Sequence, residues 1–587
     1  MDSTLARVLV VDLSQHRAWV EEWPELFQTR LGGTGVGIEL LEKLCPPGLD
    51  PLAPEAPMIF VVGPLTALFP LASKTVAMFK SPQTGNLGES HCGGRSAVAL
   101  RLAGFGALVL VGRSQVPVYV AIHGEKVHFR DARTLWGMSS SATVGRILRE
   151  VEPGSGYRTI LRIGPGGENR CAYAGVIAET YRHFGRLGLG AVFGSKNLKA
   201  LVISGKRAIP ISAKAAYQAL YRTLHEQAVK SGAMKKYHDL GTAQNVAPLN
   251  EMGALPVRNL RVQRYPEEPA FSGERLAQGS LGRRLACAGC PVACIHLAAL
   301  REPHPLEPYF YKTTFVSYDH EPLYALGSMV GMNDAPGVLR LIDAVEHMGL
   351  DAISCGVALA WATEAFERGL VREKDTGGLR PRWGEEETYA AMVKKIAHRD
   401  GEFYDLLAQG VDKAAARYGG EEFALAFGSL EMPGYHTGPG AYLTYLSGSR
   451  HSHLDSAGYA LDQEAFNRGT TPDPEAWAQR LFQEEAWRQV LSSLVICFFA
   501  RGLYTPPTVQ QALATLGSEW TTSALTQLGE DILRRKYAFK VREGFQMAGL
   551  RIPTRIAEMP TPHGAVTPDW LRRGLRAMEQ LLAHAPG

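Results

Sequence analysis

The chain has 587 residues, 45% of them hydrophobic, with 62 basic and 58 acidic side chains and a formal net charge of +4. That length predicts two to four domains around a large core. The near balance of charge argues against nucleic acid as the main partner, because such proteins carry a basic face or stripe.

Met1 to Arg7 runs straight into Val8-Leu9-Val10-Val11, which is too short for a signal segment and reads as a strand. The hairpin pattern of Arg7–Leu13 and His16–Val20 follows, around the polar turn Ser14-Gln15. Apolar runs at Met58–Val62, Thr75–Phe79, Ala107–Val111 and Val118–Ile122 predict further strands, the last leaving through the turn at His123–Lys126. Glycine-rich loops punctuate them at Gly32–Gly37, Gly164–Gly167 and Gly185–Gly190. Such glycines let the backbone approach a ligand, and a phosphate or pterin-like ligand suits them. Gly32–Gly37 resembles a dinucleotide fingerprint, yet no parallel strand–helix–strand unit surrounds it, and loop glycines also serve turns alone.

From about residue 211 apolar residues recur at helical spacing. The predicted helices are Ala213–Glu226, Asp334–His347, Ala352–Arg368, Glu386–His398, Glu402–Tyr418, Glu475–Phe499 and Pro568–His584. Ser212 and Asp351 are placed to cap two of them. The most apolar run, Val490 to Ala500, contains Ser492 and Ser493 and is too short for a membrane span. The expected fold is α+β: a β-rich domain over 1–210, a helical domain over 211–417 that carries the cysteine motif below, and a second helical domain over 418–587.

Cys287, Cys290 and Cys294 form C-x2-C-x3-C in a chain with only 8 cysteines. Three thiolates leave one position of a metal centre open, and Cys497, in the apolar segment Leu494–Phe499, is the candidate for it. A [4Fe-4S] cluster on four thiolates is the natural reading. Zinc accepts the same ligands and stays open, as do cysteines without a ligand. The radical-SAM spacing is the reverse, C-x3-C-x2-C, and fits poorly. Clustered thiols without a signal segment predict a reducing, cytoplasmic setting. A cluster on these residues would join the two helical domains.

The order of motifs is similar to that of the tungsten-containing aldehyde ferredoxin oxidoreductase family along nearly the whole chain. The residues that carry the resemblance include Leu31–Gly37, Gly63-Pro64-Leu65-Thr66, Lys80–Gly85, Gly93-Gly94, Gly164–Asn169, Gly190–Ala200, Asn250–Pro256, the cysteine motif and Gly349–Ser354. The resemblance implies a β-rich base for two pterins, with helical domains above it. It implies tungsten or molybdenum held by two pyranopterins, Mg2+ bridging the pterin phosphates, and a [4Fe-4S] cluster on Cys287, Cys290, Cys294 and Cys497. By the same match Arg182, Gly185 and Arg186 meet pterin phosphates and Gly93 makes a backbone contact. Leu350 with Asp351, and Ile496 with Cys497, match the two copies of its D-x-x-G-L-C/D segment.

Several positions depart from the family pattern. Lys74 stands for an arginine that links cluster and pterin, His91 for asparagine and His183 for alanine. Glu346 and Ser492 stand where aspartate opens the two D-x-x-G-L-C/D segments. Asp455 replaces a basic residue, and an arginine expected at Ser449 lies next door as Arg450.

The resemblance makes Glu321 the acid–base carboxylate and His453 the histidine that faces substrate. Without it, Glu321 reads as a helix N-terminal carboxylate and His453 as a structural histidine. Tyr435, His436, Tyr445 and His451 are further candidates near the substrate. The implied reaction is oxidation of a small aldehyde to its acid, with electrons passed to ferredoxin or an iron–sulfur subunit of a homodimer or larger complex. The alternatives are a catalytic subunit of a class II benzoyl-CoA-type reductase, or a non-catalytic cofactor-binding or electron-transfer subunit.

Overall fold

The computed structural model describes residues 2–138, 141–179, 181–470 and 473–583. Arg7–Asp12 and Arg17–Glu22 form the expected antiparallel hairpin, with Val10 opposite Trp19. They belong to a six-stranded sheet continued by Ala107–Val111, Met58–Val61, Thr75–Lys80 and Leu87–Cys92. A second six-stranded sheet runs Arg182–Phe184, Val176–Ala178, Tyr157–Arg162, Leu198–Gly205, Val118–His123, Lys126–Asp131. Every residue of Thr75–Lys80 and Leu198–Gly205 is buried, which is why the inner strands carry apolar runs rather than alternation. Leu87–Cys92 escapes prediction because its sequence, LGESHC, spends its side chains on Glu89, Ser90 and His91, which line a cavity.

The fold as a whole is α+β, with three corrections to the helices of the helical part. Glu386–His398 forms as expected, and Asp351 caps Ala352–Glu367 by accepting from the amides of Ile353 and Ser354. Ser212 caps nothing: the helix runs Lys214–Lys230 with Ala213 at its N-cap. Glu402–Tyr418 is two helices, Glu402–Leu407 and Val411–Tyr418, parted at Gly410, whose φ of 117° no helix accepts. The helix expected to reach Phe499 runs Pro474–Ser493, and Val495 at φ 56° turns Ile496 and Cys497 into a loop. The last helix runs Pro568–Ala583, and its expected end at His584 lies outside the described residues.

The cysteine motif is corrected too. It lies in no helix but in the loop between the first two strands of a three-stranded antiparallel sheet, Leu281–Leu285, Ile295–Pro303 and Tyr311–Tyr318. Gly289 at φ 68° and Ala293 at φ 52° turn that loop back on itself.

Two large apolar cores result, beside a smaller one around Tyr119, Val144 and Val202. One belongs to the helical part and holds Trp361, Tyr389 and Phe403. The other joins both N-terminal sheets to Val490, Ile496, Ile532 and Phe539. Gly33 permits this closure, since a Cβ there, at φ 39°, would lie 1.9 Å from the carbonyl oxygen of Ser492. Gly32–Gly37 is therefore no ligand loop: Gly33–Gly37 open the helix Gly33–Leu44, packed against the C-terminal segment, and do not line the cavity among the helices and sheets. Among the described residues no helix is long and apolar enough to cross a membrane.

Candidate active site

The N-terminal sheets, the cysteine loop and the helical part meet at a cavity of about 330 Å³. A side lobe of about 140 Å³ shares Arg182, Gly185, Asp319, Glu321 and Ile353 with it. Cys287, Cys290, Cys294 and Cys497 all line the main cavity. One short segment, Leu71–Lys74, ties them together by backbone hydrogen bonds. Leu71 donates to Gly289 O at 3.3 Å and accepts from Cys497 N at 2.9 Å, and Lys74 donates to Val495 O at 3.1 Å.

Burial pushes the Cys290 and Cys294 thiols up to about 12, so holding them as thiolates takes bound positive charge. Among the described residues no three Cys, His, Asp or Glu side chains are placed to hold a single metal ion.

Lys74 and Arg182 stand beside the thiols. A Cβ on Gly93 would meet Cys287 Sγ at 2.7 Å, Lys74 Nζ at 3.4 Å and Arg182 Nε at 3.8 Å, so only glycine leaves that space. Burial opposes the charge on Lys74, but Cys497 and Cys287 outweigh it and raise its pKa. Arg186 donates to Asp351 at 3.0 Å and to the carbonyl of Glu431 at 2.7 Å. Arg182 Nε and Arg186 Nη1 are buried without a hydrogen-bond partner, which is costly for a cationic donor unless a ligand oxygen meets it. A Cβ on Gly185 would meet nothing within 4 Å, so this loop borders open space.

Some of the positions that depart from the family pattern pair with one another. Glu346 hydrogen-bonds His183 in the side lobe, where Leu350 and Asp351 also stand. A glutamate in place of aspartate thus meets a histidine in place of alanine. Burial opposes ionisation of Glu346, and His183 outweighs it and lowers the pKa. Arg450, beside the position where an arginine is expected, lines the main cavity and donates to Asp455 at 2.7 Å. His91 lies 2.6 Å from Glu89 and is held at about 4 by burial and by Arg450. Ile496 lines the cavity, whereas Ser492 does not, its carbonyl lying against Gly33.

Glu321 sits in the first turn of the short helix His320–Leu323, followed by one π-helical turn, Tyr324–Ser328. Its Oε1 lies 3.1 Å from His453 Nε2 and accepts from the Tyr435 hydroxyl at 3.3 Å. Asn245 in turn donates to that hydroxyl at 3.3 Å. Burial opposes ionisation of Glu321, but the hydrogen bond and charge of His453 outweigh it and bring its pKa to about 2. His453 Nδ1 is buried and unpartnered, which leaves a ring nitrogen for a ligand.

Sequence reasoning missed Asp319, which lines both lobes and is pushed up to about 6 by burial and by the charge of Glu321. It also missed Asn245, for which no spacing rule gives a signal. Of the other candidates, Tyr435 reaches the cavity and stacks on Tyr459 at 4.3 Å. Tyr445 acts behind it, donating to the Tyr435 carbonyl at 2.9 Å. His436 is engaged by Tyr442, and His451 lies 3.0 Å from Lys540 Nζ. Thiols at one end, unpaired guanidinium N–H groups between, and open space at Gly185 make a donor set that fits an iron–sulfur cluster beside a phosphate-bearing pterin.

The comparisons agree with that geometry. The family model "Aldehyde ferredoxin oxidoreductase, N-terminal domain" matches residues 8–205, and "Aldehyde ferredoxin oxidoreductase, domains 2 & 3" matches residues 218–583. The tungsten-containing aldehyde ferredoxin oxidoreductase of Pyrococcus furiosus is 33% identical over 95% of this chain and 92% of its own. The WOR-like subunit of aliphatic sulfonate oxidoreductase from the same organism is 28% identical over 70% of this chain and 67% of its own. The BamBC active-site complex of benzoyl coenzyme A reductase shares the fold, with a TM-score of 0.84 at 22% identity over 99% of this chain and 95% of that one. The chain belongs to the aldehyde ferredoxin oxidoreductase family, a family of oxidoreductases.

Proposed function

We propose that this protein oxidises an aldehyde to a carboxylic acid at a tungsten- or molybdenum-bis(pyranopterin) centre. Cys287, Cys290, Cys294 and Cys497 would hold a [4Fe-4S] cluster, which would supply a one-electron exit to ferredoxin or an iron–sulfur subunit in the cytoplasm. The observation that carries this reading is one cavity that holds all four thiols together with the Glu321–His453 pair. The family's printed name and the 33% identity to a tungsten enzyme support it.

The balance is RCHO + H2O → RCOOH + 2 H+ + 2 e−. When bound, the metal–pterin group supplies the two-electron acceptor and the cluster the one-electron exit. The chain's own residues do the rest. His453 presents Nδ1 to the aldehyde oxygen and polarises it, held in place by Glu321 at Nε2. Glu321 takes a proton from the attacking water. A carboxyl held near 2 is a weak base, so Glu321 holds that proton only transiently before releasing it as one of the two protons of the balance. Tyr435 donates to the same carboxylate oxygen and is itself held by Asn245. Arg182 and Arg186, whose Nε and Nη1 donors have no protein partner, would hold the pterin phosphates.

The test is a screen of aliphatic and aromatic aldehydes against metal-replete protein, anaerobically, with a viologen dye as acceptor. Aldehyde-dependent reduction of the dye is the expected result. Failure of every aldehyde to reduce it contradicts the reading.

A further inference from the structure

The sheet that carries the cysteine loop turns one face to solvent. Its register sets Arg301 beside Thr313 and Ala299 beside Phe315 on that face. Arg283 lies 5.2 Å over the Phe315 ring and Arg301 4.5 Å over the Tyr311 ring. The face ends in a turn where Leu306, Tyr309, Phe310 and Tyr311 are 86, 100, 65 and 57% exposed. No other stretch of the described residues gathers four exposed large apolar side chains. Neither core uses these rings, and the cavity does not reach them.

Charge points the same way. Residues 281–317 contain Arg283, Arg284, Arg301 and Lys312 against only Glu302 and Glu307, and Glu302 is engaged by Arg340 at 3.1 Å. Aromatic rings with stacked arginines are the composition of interface anchors, and exposed cations around them steer an acidic partner.

We propose that this face docks an acidic redox protein that takes electrons from the cluster, an inference that rests on the function proposed above. The scale allows it. Ile295–Pro303, 9 residues long, leads from the cysteine loop to the aromatic turn, a span of ~30 Å at ~3.3 Å per residue. A carrier of ~100 residues has a radius of gyration of ~13 Å, so one such molecule covers both the turn and the exposed Gly289 in the cysteine loop. A second copy of this chain suits the face poorly, because a two-fold contact through it sets Arg283 and Arg301 against their own charges.

The test is the affinity of anaerobic holoprotein for a purified acidic ferredoxin at low salt, measured beside aldehyde-dependent viologen reduction, which needs no docking. Arg283→Glu with Arg301→Glu should weaken ferredoxin binding about tenfold or more and flatten its salt dependence. Tyr309→Ser with Phe310→Ser should weaken binding while leaving the salt dependence in place. Viologen reduction should stay at the wild-type rate in both. Wild-type affinity in the charge-reversed variant, or no ferredoxin binding by the wild type, overturns the proposal. So does a Tyr309→Ser, Phe310→Ser variant that binds ferredoxin normally but changes its oligomeric state in ultracentrifugation. If ferredoxin binds as expected while no aldehyde reduces viologen, the docking face stands and the aldehyde reading falls.

Discussion

The two ends of the cavity are built in different ways. The thiol end draws three of its four side chains from one loop of eight residues, fixed by backbone hydrogen bonds to Leu71–Lys74. The acid–base end draws Glu321, Tyr435 and His453 from separate segments and joins them by side-chain contacts of 3.1 and 3.3 Å. The thiol end rests on a backbone frame, whereas the acid–base end depends on each member to orient the others. Removing one ligand should therefore abolish a cofactor, and removing one acid–base partner should slow the reaction with the cofactors in place.

The largest effect is expected at the thiols. Cys290→Ser should lose the broad visible absorption of an iron–sulfur cluster and about four iron per chain, read by spectroscopy and iron analysis. An unchanged spectrum would remove Cys290 from the ligand set. At the other end, Glu321→Gln should lower aldehyde turnover by ~10²–10⁴-fold with iron and tungsten or molybdenum retained. Wild-type turnover would show that the pair is structural. Between the two ends, Arg182→Ala with Arg186→Ala should lower the pterin and tungsten or molybdenum content of purified protein and spare the iron, because it deletes the unpaired donors and no thiol. Full loading would place the phosphate contacts elsewhere.

The smallest effect is a pH dependence of stability. The folded pKa of Glu321 lies near 2, below the ordinary carboxylate value of ~4.3. The pair with His453 therefore stabilises fully above that ordinary value and loses its contribution as the pH falls toward 2. Glu321→Gln should lower Tm at pH 7 and change it less at pH 3. A shift of equal size at both would mean that packing, not the charged pair, sets the difference.

These contrasts also explain what the sequence made legible. C-x2-C-x3-C is a local pattern and is read directly, but its setting was not. Strands such as Leu281–Leu285, sequence LGRRL, lie on a solvent-facing sheet whose arginines mask the apolar signal, so a helical surround was expected. Leu87–Cys92 was hidden because its polar side chains face a cavity rather than water. The hairpin at Arg7–Asp12 and the helix Glu386–His398 were read correctly because hydrophobic period and turn chemistry agree there. Glu321 and His453 came only through family resemblance, since no spacing rule joins them. The pairings of Glu346 with His183 and of Asp455 with Arg450 are long-range or side-chain events that emerge only when the chain is folded.

Elemental analysis of anaerobically purified protein tests the central claim most directly. About four iron atoms and one tungsten or molybdenum atom per chain are predicted, from one cubane and one bis(pyranopterin) centre. Iron with neither tungsten nor molybdenum, in protein grown with both supplied, would contradict the proposed enzyme and leave an electron-transfer subunit in its place.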